Sequence, residues 1–372
     1  NNTYSISAAD HNQALVLIFD RLANYCSDSG HSLTDITAVG HRVVHGGEQL
    51  VDPTVINDDI ENTIESVNHL APLHNSVSLE AIRAARKLLQ HCPHVAIFDT
   101  GFHASLPAHA KYYALPEALT SSNNHLHRFG FHGISHQYVS QAVAKSLDIP
   151  IEKLRIISCH LGNGCSMAAV ENGRSVETSM GMTPMEGLVM GTRAGDLDPG
   201  LILQLLRDKK HSIDEVDTLL NHSSGLLGLT GSSDMREIEQ RAANGDKRCL
   251  QAIQIFTHRA RKYIGAYAAA MGGVDAIAFT GGIGENSALI RQHIAQRFDF
   301  LGAALNEDLN NDAIVTTKSA IAEISNASSV VKLFVIAADE EVAIADSVNQ
   351  KLKANESEDL KKVKIHVLRT WI

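Results

Sequence analysis

Arg155-Ile156-Ile157-Ser158-Cys159-His160 is a short β-rich run that empties into Leu161-Gly162-Asn163-Gly164-Cys165-Ser166, and a second turn signal, Glu171-Asn172-Gly173-Arg174, follows closely. The run predicts a strand over 155–160. Asn-Gly favours a tight reverse turn, so a hairpin is expected across 171–174, with a strand at 174–179. Two hairpin-linked strands followed by helices do not suit a purely parallel Rossmann sheet. Outward from this stretch, short β-rich runs alternate with longer amphipathic ones, the pattern of an α/β protein. Strands are expected at 36–44, ending in His45-Gly46-Gly47, at 95–100, at Val274 to Thr280, and at Lys332 to Ala338. Helices are expected over Ala8–Asn24, Ser76–Leu89, 250–271 and from Val342 to about Lys353. No short-period repeat or long Pro/Gly/Ser linker interrupts the chain, so two closely packed lobes are expected rather than tethered domains.

The bulk properties narrow the classes. The chain has 372 residues, 44% hydrophobic and 20% charged, which is enough to bury more than one core. Its net charge of −10 is spread along the sequence and disfavours a broad nucleic-acid surface. No apolar run approaches the roughly 20 residues that cross a bilayer, and Asn1-Asn2-Thr3-Tyr4 carries no signal-peptide pattern. Five cysteines, odd in number and without Cys-x-x-Cys spacing, argue against a disulfide framework and a thiolate zinc site. The expectation is a soluble protein of a reducing cytoplasm, with no membrane and no nucleic-acid partner.

Chemistry concentrates at strand ends. Gly187-Leu188-Val189-Met190-Gly191-Thr192-Arg193-Ala194-Gly195-Asp196-Leu197-Asp198-Pro199-Gly200 sets a guanidinium among small residues, where it can meet a phosphate or carboxylate unobstructed. An ordinary loop with Arg193 paired to Asp196 or Asp198 is the competing reading. Gly162-Asn163-Gly164 and Gly281-Gly282-Ile283-Gly284 leave backbone N–H groups available to an anion or a nucleotide. Neither Gly-x-x-x-x-Gly-Lys-Ser/Thr nor Gly-x-Gly-x-x-Gly occurs, so any nucleotide is held another way. The i, i+4 histidine pairs His41/His45 and His132/His136 invite a zinc reading, a metallohydrolase. The first falls on a strand and the second lacks the Glu of a zinc helix. Arg42 and Asp99, each near a strand end, are either buried ion-pair members or charged groups of a site. Two arginines, an aspartate, several histidines and glycine loops at strand ends describe anion transfer better than packing.

In this order, Gly40-His41-Arg42-Val43-Val44-His45-Gly46-Gly47, Leu70-Ala71-Pro72-Leu73-His74-Asn75, Phe98-Asp99-Thr100, Arg128-Phe129-Gly130-Phe131-His132-Gly133-Ile134-Ser135-His136, His160-Leu161-Gly162-Asn163-Gly164, Met190-Gly191-Thr192-Arg193 and Thr280 through Asn286 resemble the acetate kinase family of acetate and propionate kinases. The resemblance runs from about Thr34 to Ile344. It implies a two-lobed α/β fold of the actin, hexokinase and sugar-kinase type (ribonuclease H-like), each lobe on a mixed five-stranded sheet, with an inter-lobe cleft. Residues 1–100 with 342–372 would form the N-terminal lobe and 101–341 the nucleotide-binding lobe. It implies reversible transfer of the ATP γ-phosphoryl to acetate or propionate, giving acyl phosphate and ADP, with Mg²⁺ or, as an alternative, Mn²⁺, in a homodimer. Residue by residue it implies Arg42, Asp99, His132 and Arg193 as the catalytic set. Val44, Leu73, His74, Phe131 and Pro184 would lie on the carboxylate side. His160, Asn163, Gly164, Asp234, Arg236, Gly282, Ile283, Gly284 and Asn286 would lie along the nucleotide, and Glu340 rather than Glu341 at the metal.

Four departures from the family pattern stand out. Ser76-Val77-Ser78 replaces Pro-Pro-Asn, Gly101 replaces Ala, and Asp339-Glu340-Glu341 replaces Asn-Glu-Glu. The family's first strand, its Asn-x-Gly-Ser-Ser-Ser loop and the Lys after it have no counterpart here. The expectation is that the natural chain carries that segment ahead of Asn1; a catalytically inactive nucleotide-binding homologue is the alternative. The tail beyond Ala354, with Lys361-Lys362-Val363-Lys364-Ile365-His366, has no family counterpart.

Overall fold

The computed structural model describes residues 11–120, 126–208, 211–316 and 319–355. The first ten residues of the sequence and the tail from 356 lie outside them. The chain divides into two compact units, residues 1–101 with 339–372, and residues 102–338.

In the first unit, β1 (Val39–Val43), β2 (Thr54–Val55) and β3 (His94–Phe98) form a sheet of order β1-β3-β2, with β1 and β3 parallel and β2 antiparallel to β3. All of β3 is buried, which explains its unbroken apolar reading in sequence. Helices Asp58–Ser66 and Pro72–Leu88 contribute Ile64, Leu79 and Ile82 to a core with Val43, Leu50, Ala96 and Phe98. The second helix starts at Pro72 rather than at Ser76. Proline suits the first helical position, and Ser76-Val77-Ser78 holds no proline to interrupt the turns that follow. The helix Glu340–Asn355 packs on β1 and β3, and Gly40 makes that possible, because a Cβ there would stand 2.5 Å from Ile344 Cγ2. Gly101 is fixed similarly: a methyl group at that position would collide with the Val51 carbonyl oxygen.

In the second unit, β4 (Arg155–Leu161), β5 (Cys165–Glu171), β6 (Arg174–Thr178), β7 (Ala276–Thr280), β8 (Ile321–Glu323) and β9 (Lys332–Ile336) form one mixed sheet of order β6-β5-β4-β7-β9-β8. The hairpin between β5 and β6 turns on Asn172 and Gly173, both at positive φ (54° and 75°), as a primed turn requires. Helix Gly133–Leu147 lays Val139, Val143 and Ala144 on Ile156, Ala168, Val170, Ala276 and Ala278. The long helix Lys247–Ala270, with buried Ile253, Phe256, Ala260 and Ile264, also packs against β4 and β5.

The five-stranded sheets implied by the resemblance are not what is seen: among the described residues one sheet has three strands and the other six. Strands of two and three residues, β2 and β8, are too short to show alternation in sequence.

Three histidines are held as neutral rings, His94 and His136 buried and His41 partly so. Burial, with His94 and the Arg86 cation nearby, lowers His41 to about 3; His94 and His136 are lowered too, each mainly by burial. Unfolding exposes them to protonation near 6.5, so below that pH the unfolded chain binds protons that the folded chain refuses. Stability should therefore fall as pH drops from 7 to 5, by about 1.4 kcal/mol per pH unit below 6.5 for His41, with His94 and His136 adding losses of the same sign. For His41 the loss ends near 3, where its folded form is protonated as well. Urea unfolding at the two pH values checks this, and an unchanged midpoint would contradict neutral burial.

Candidate functional site

The site is described unit by unit. In the first unit, the parallel register sets Arg42 opposite Ile97, and Asp99 follows immediately after β3. Arg42 Nε donates to both Asp99 oxygens (3.1 Å each) and Nη2 donates to Oδ2 at 2.6 Å. Asp99 is 2% exposed while the Arg42 side chain is 39% exposed, so the pair anchors a guanidinium that still reaches solvent. Arg42 and Asp99 form an ion pair with each other, and the pair holds the guanidinium in one orientation. Arg42 Nη1 lies 3.6 Å from Glu340 Oε2. Asp99 foremost holds the Arg42 pKa up, and burial raises the Glu340 carboxyl against the pull of Arg42. Asp339 turns away to another task, accepting the Val342 N–H (3.1 Å) as a helix cap, which an Asn would also do.

Beyond β1 the chain bends at Val44, so Arg42 and Val44 do not share a strand face. Asn75 fixes that bend: its Oδ1 accepts the His45 N–H (3.1 Å) and its Nδ2 donates to the His45 carbonyl (2.8 Å). His74 is exposed on the same helix, and the Leu73 side chain lies outside the described residues. Neither His45 nor Asn75 was singled out from sequence as a supporting residue, although both sit inside the quoted motifs.

In the second unit, β4 and β7 run parallel with His160 beside Thr280, so their glycine loops leave the sheet at one edge. β4 returns to β5 through Gly162-Asn163-Gly164, and β7 enters the short helix Gly281–Asn286 directly. A Cβ on Gly162 would lie 3.9 Å from the Gly282 nitrogen, which measures how closely the two loops approach. Beside them opens a cavity of about 430 Å³ lined by Gly162, Asn163, Ser233, Asp234, Met235, Arg236, Glu239, Gly282, Ile283, Asn286 and Ser287. Asn163, Asp234, Arg236, Gly282, Ile283 and Asn286 thus meet at one place. Gly284 stands behind it, buried against Phe279. Asp234 caps the helix Met235–Ala243, and its hydrogen bonds from Arg236 hold its carboxyl below the usual carboxylate range.

Sequence reasoning missed the supports of this cavity. Glu239 lines it, its carboxyl raised by burial and bonded by the Ser287 hydroxyl. Glu285 Oε1 accepts the N–H groups of Gly281 (3.0 Å) and Ala338 (2.9 Å). Arg291, 1% exposed, donates to the carbonyls of Gly284, Glu285 and Asn310. Nothing in local spacing signals these roles, since their partners are set by tertiary packing.

His132 precedes helix Gly133–Leu147 in the left-handed region (φ 56°, ψ 26°), a conformation that costs a non-glycine residue energy and redirects its side chain. Its ring stacks on His160 at 4.4 Å, and Ser135 bonds His160 Nδ1 at 2.9 Å. His132 and His136 are joined through the Ser166 hydroxyl. A Cβ on Gly164 would sit 3.4 Å from His132 Nε2 and 3.7 Å from Arg193 Nη1, so both groups converge beside the glycine loop. Arg193 is not paired to Asp196 or Asp198. Asp196 engages Arg259 and Tyr263, Asp198 caps the helix Pro199–Arg207, and Arg193 Nη1 donates to the Pro184 carbonyl at 3.1 Å. Among the described residues Arg193 has no acidic partner, and burial draws its pKa down. The Phe131 side chain is buried, and its carbonyl accepts the Nε2–H of His103 (3.0 Å).

An unmatched guanidinium and an imidazole beside a glycine loop, continuous with a nucleoside-sized cavity, are what a nucleotide-dependent phosphotransferase needs at its phosphates. That class is the one the second unit defines. The model of the Acetokinase family matches residues 1–346. An acetate kinase of Halothermothrix orenii is 46% identical over 344 residues, covering 92% of this chain and 85% of the relative. One of Symbiobacterium thermophilum is 49% identical over 312 residues, covering 84% and 77%. Among solved structures, the acetate kinase of Porphyromonas gingivalis superposes with a TM-score of 0.85 at 39% identity, over 91% of this chain and 84% of that one. A propionate kinase from Francisella tularensis gives 0.82 at 41%, over 89% and 83%. The chain belongs to the acetokinase family, and its fold is that family's mixed α/β, actin-like fold.

Arg193 carries a charge that the fold leaves unbalanced, so replacing it by an apolar side chain of similar length should not destabilise the protein. Arg193→Met is expected to melt at or above the wild-type temperature in a thermal scan. A drop of more than about 5 °C, roughly 2 kcal/mol in a protein of this size, would instead assign Arg193 to the fold.

Proposed function

We propose that this protein transfers the γ-phosphoryl group of ATP reversibly to the carboxylate of a short-chain fatty acid, acetate or propionate, forming an acyl phosphate and ADP. The observation that carries the reading is the convergence of His132 Nε2 and Arg193 Nη1 beside Gly164, next to the cavity that Gly162 and Asn163 line. A carboxylate oxygen attacks the γ-phosphorus, the bond to the β,γ-bridging oxygen breaks, and ADP leaves with the electron pair. Arg193 and Arg42 neutralise phosphoryl and carboxylate charge, and His132 donates a hydrogen bond to a phosphoryl oxygen. Asp99 keeps the Arg42 guanidinium in one orientation. In the first unit Val44 and Leu73 are assigned by the family resemblance to the acyl group and His74 to the carboxylate side; in the second unit Phe131 and Pro184 are assigned to the acyl group. His160, Asn163 and Gly164 follow the phosphates, and Asp234, Arg236, Gly282, Ile283, Gly284 and Asn286 follow the nucleoside.

Mg²⁺ fits the donors present. Asp99 and Glu340 place two carboxylates on one guanidinium, leaving one negative charge in excess. Mg²⁺ is held by one or two protein carboxylates together with phosphate oxygens and water, and among the described residues no larger metal-ligand cluster exists. Glu340 would hold it, and the ion would neutralise charge on the phosphates. Mn²⁺ would serve in the same way. A homodimer in a reducing cytoplasm belongs to the same proposal. Five free cysteines, four of them buried, support the compartment, and no helix of the described residues is long and apolar enough to cross a membrane.

The direct test incubates the full chain with Mg-ATP, hydroxylamine and acetate, propionate or butyrate. Acyl hydroxamate is expected with the first two, and none with any acid would favour an inactive nucleotide-binding homologue. Arg193→Ala should lower kcat by about 10³ or more with little change in ATP affinity, and Arg193→Lys should recover little of it, for want of a planar fork. Near-wild-type turnover in the alanine variant would remove Arg193 from this role.

A further inference from the structure

Behind His132 runs a buried chain of hydrogen bonds that the reaction scheme leaves unused. His132 Nδ1 meets the Ser166 hydroxyl at 2.8 Å, the same hydroxyl meets His136 Nε2 at 2.8 Å, and His136 Nδ1 meets the Ser158 hydroxyl at 2.9 Å. Ser158, Ser166 and His136 are fully buried. A hydroxyl has one proton, so Ser166 donates to one imidazole and must accept from the other. Burial holds His136 neutral, which gives it a single N–H. The chain therefore has only two consistent directions. In one, Ser158 donates to His136 Nδ1, His136 Nε2–H donates to Ser166, and Ser166 donates to His132 Nδ1. A neutral His132 then carries its proton on Nε2, the atom beside Gly164 and Arg193. In the other, every bond reverses and a neutral His132 presents a lone pair at Nε2, which repels an anion.

We infer that His136 is a positioning residue which, through Ser166, fixes His132 as the Nε2–H tautomer that can donate to a phosphoryl oxygen. The inference rests on the phosphoryl-transfer reading, which selects between the two directions, while the tautomer itself can be read in the resting protein. Strand alternation builds the device. Ser158 and His160 share one face of β4, Ser166 lies opposite His160 on β5, and helix Gly133–Leu147 brings His136 down on the same face. A neighbouring ring shows the same chemistry in a fixed direction. A neutral His103, donating Nε2–H to the Phe131 carbonyl, accepts at Nδ1 from the Ser175 hydroxyl at 2.7 Å.

Long-range proton–nitrogen correlation spectra of the full protein labelled with ¹⁵N-histidine read the tautomers without substrate. His132 and His136 are expected to be protonated on Nε2 and bare on Nδ1. Ser166→Ala should leave His132 a mixture of tautomers and lower kcat by about 10-fold or more, with KM for ATP and for the carboxylate within about two-fold of wild type. His136→Gln, whose carboxamide can still donate to Ser166, should retain more turnover than His136→Leu. His132 protonated on Nδ1 in the wild type would overturn the inference even if a variant failed to fold. So would wild-type kcat in Ser166→Ala, or a rise in KM alone. Wild-type protein that forms no acyl hydroxamate but shows the expected tautomers would refute the proposed reaction and leave the positioning chain standing.

Discussion

The parallel pairing of β4 with β7 is the constraint on which the second unit depends. It sets His160 beside Thr280 and delivers two glycine loops to the same sheet edge, a hydrogen-bond ladder away from each other. A shift of one residue in that register would turn Ser158 and His160 to the opposite face and dismantle both the cavity beside the glycine loops and the histidine cluster. The same ladder explains why the apolar and polar parts of the face are continuous. Ile156, Ala168 and Val170 lie under Val139 and Val143, and further along the strands Ser158, His160 and Ser166 lie near His136 and His132. One helix, Gly133–Leu147, is thus anchored by its apolar residues and places its N-terminal histidines by the same packing.

The two arginines show how differently a fold can hold a positive charge. Arg42 sits in a two-point grip from a buried aspartate, with Glu340 alongside, so its charge is over-compensated and its direction fixed. Arg193 is steadied by a carbonyl and a thioether sulfur, neutral groups that orient a guanidinium without cancelling its charge. Leaving a partly buried cation unpaired costs stability, and a structure retains such a cost where an anion is to be met. The acidic residues nearest in sequence, Asp196 and Asp198, are engaged elsewhere, by Tyr263 and Arg259 and by a helix N-terminus.

What the sequence disclosed follows from the range of each interaction. The Asn172-Gly173 turn, the strand that feeds Gly162-Asn163-Gly164 and the apolar face of the helix ending at Leu88 are local, and each could be read from a few neighbouring residues. The ordered motifs disclosed the family, because one ordering of several weak signals is far more specific than any of them alone. The helix expected from Ser76 starts at Pro72, because proline suits the first helical position and the turns before Ser76 carry little apolar periodicity to announce them. The six-stranded sheet was missed because β8, three residues long, exists only through its pairing with β9.

The least legible features are the buried polar ones, and for a common reason. Ser158 and Ser166 are small, unremarkable residues in apolar strands, and a sequence reading assigns them to packing. Their meaning depends on sitting 22 and 30 residues from His136 in the chain yet within a hydrogen bond of its two ring nitrogens. Glu285 and Arg291 belong to the same kind: one accepts two backbone N–H groups and the other supplies carbonyls with donors, so that the glycine-rich turn after β7 has few unanswered polar groups of its own. A loop that must offer its backbone to a ligand cannot also be held by side chains of its own, since glycines have none. Its rigidity has to be supplied from behind, by buried polar residues distant in sequence. The more glycine-rich the loop, the less of its support can be read from the residues beside it.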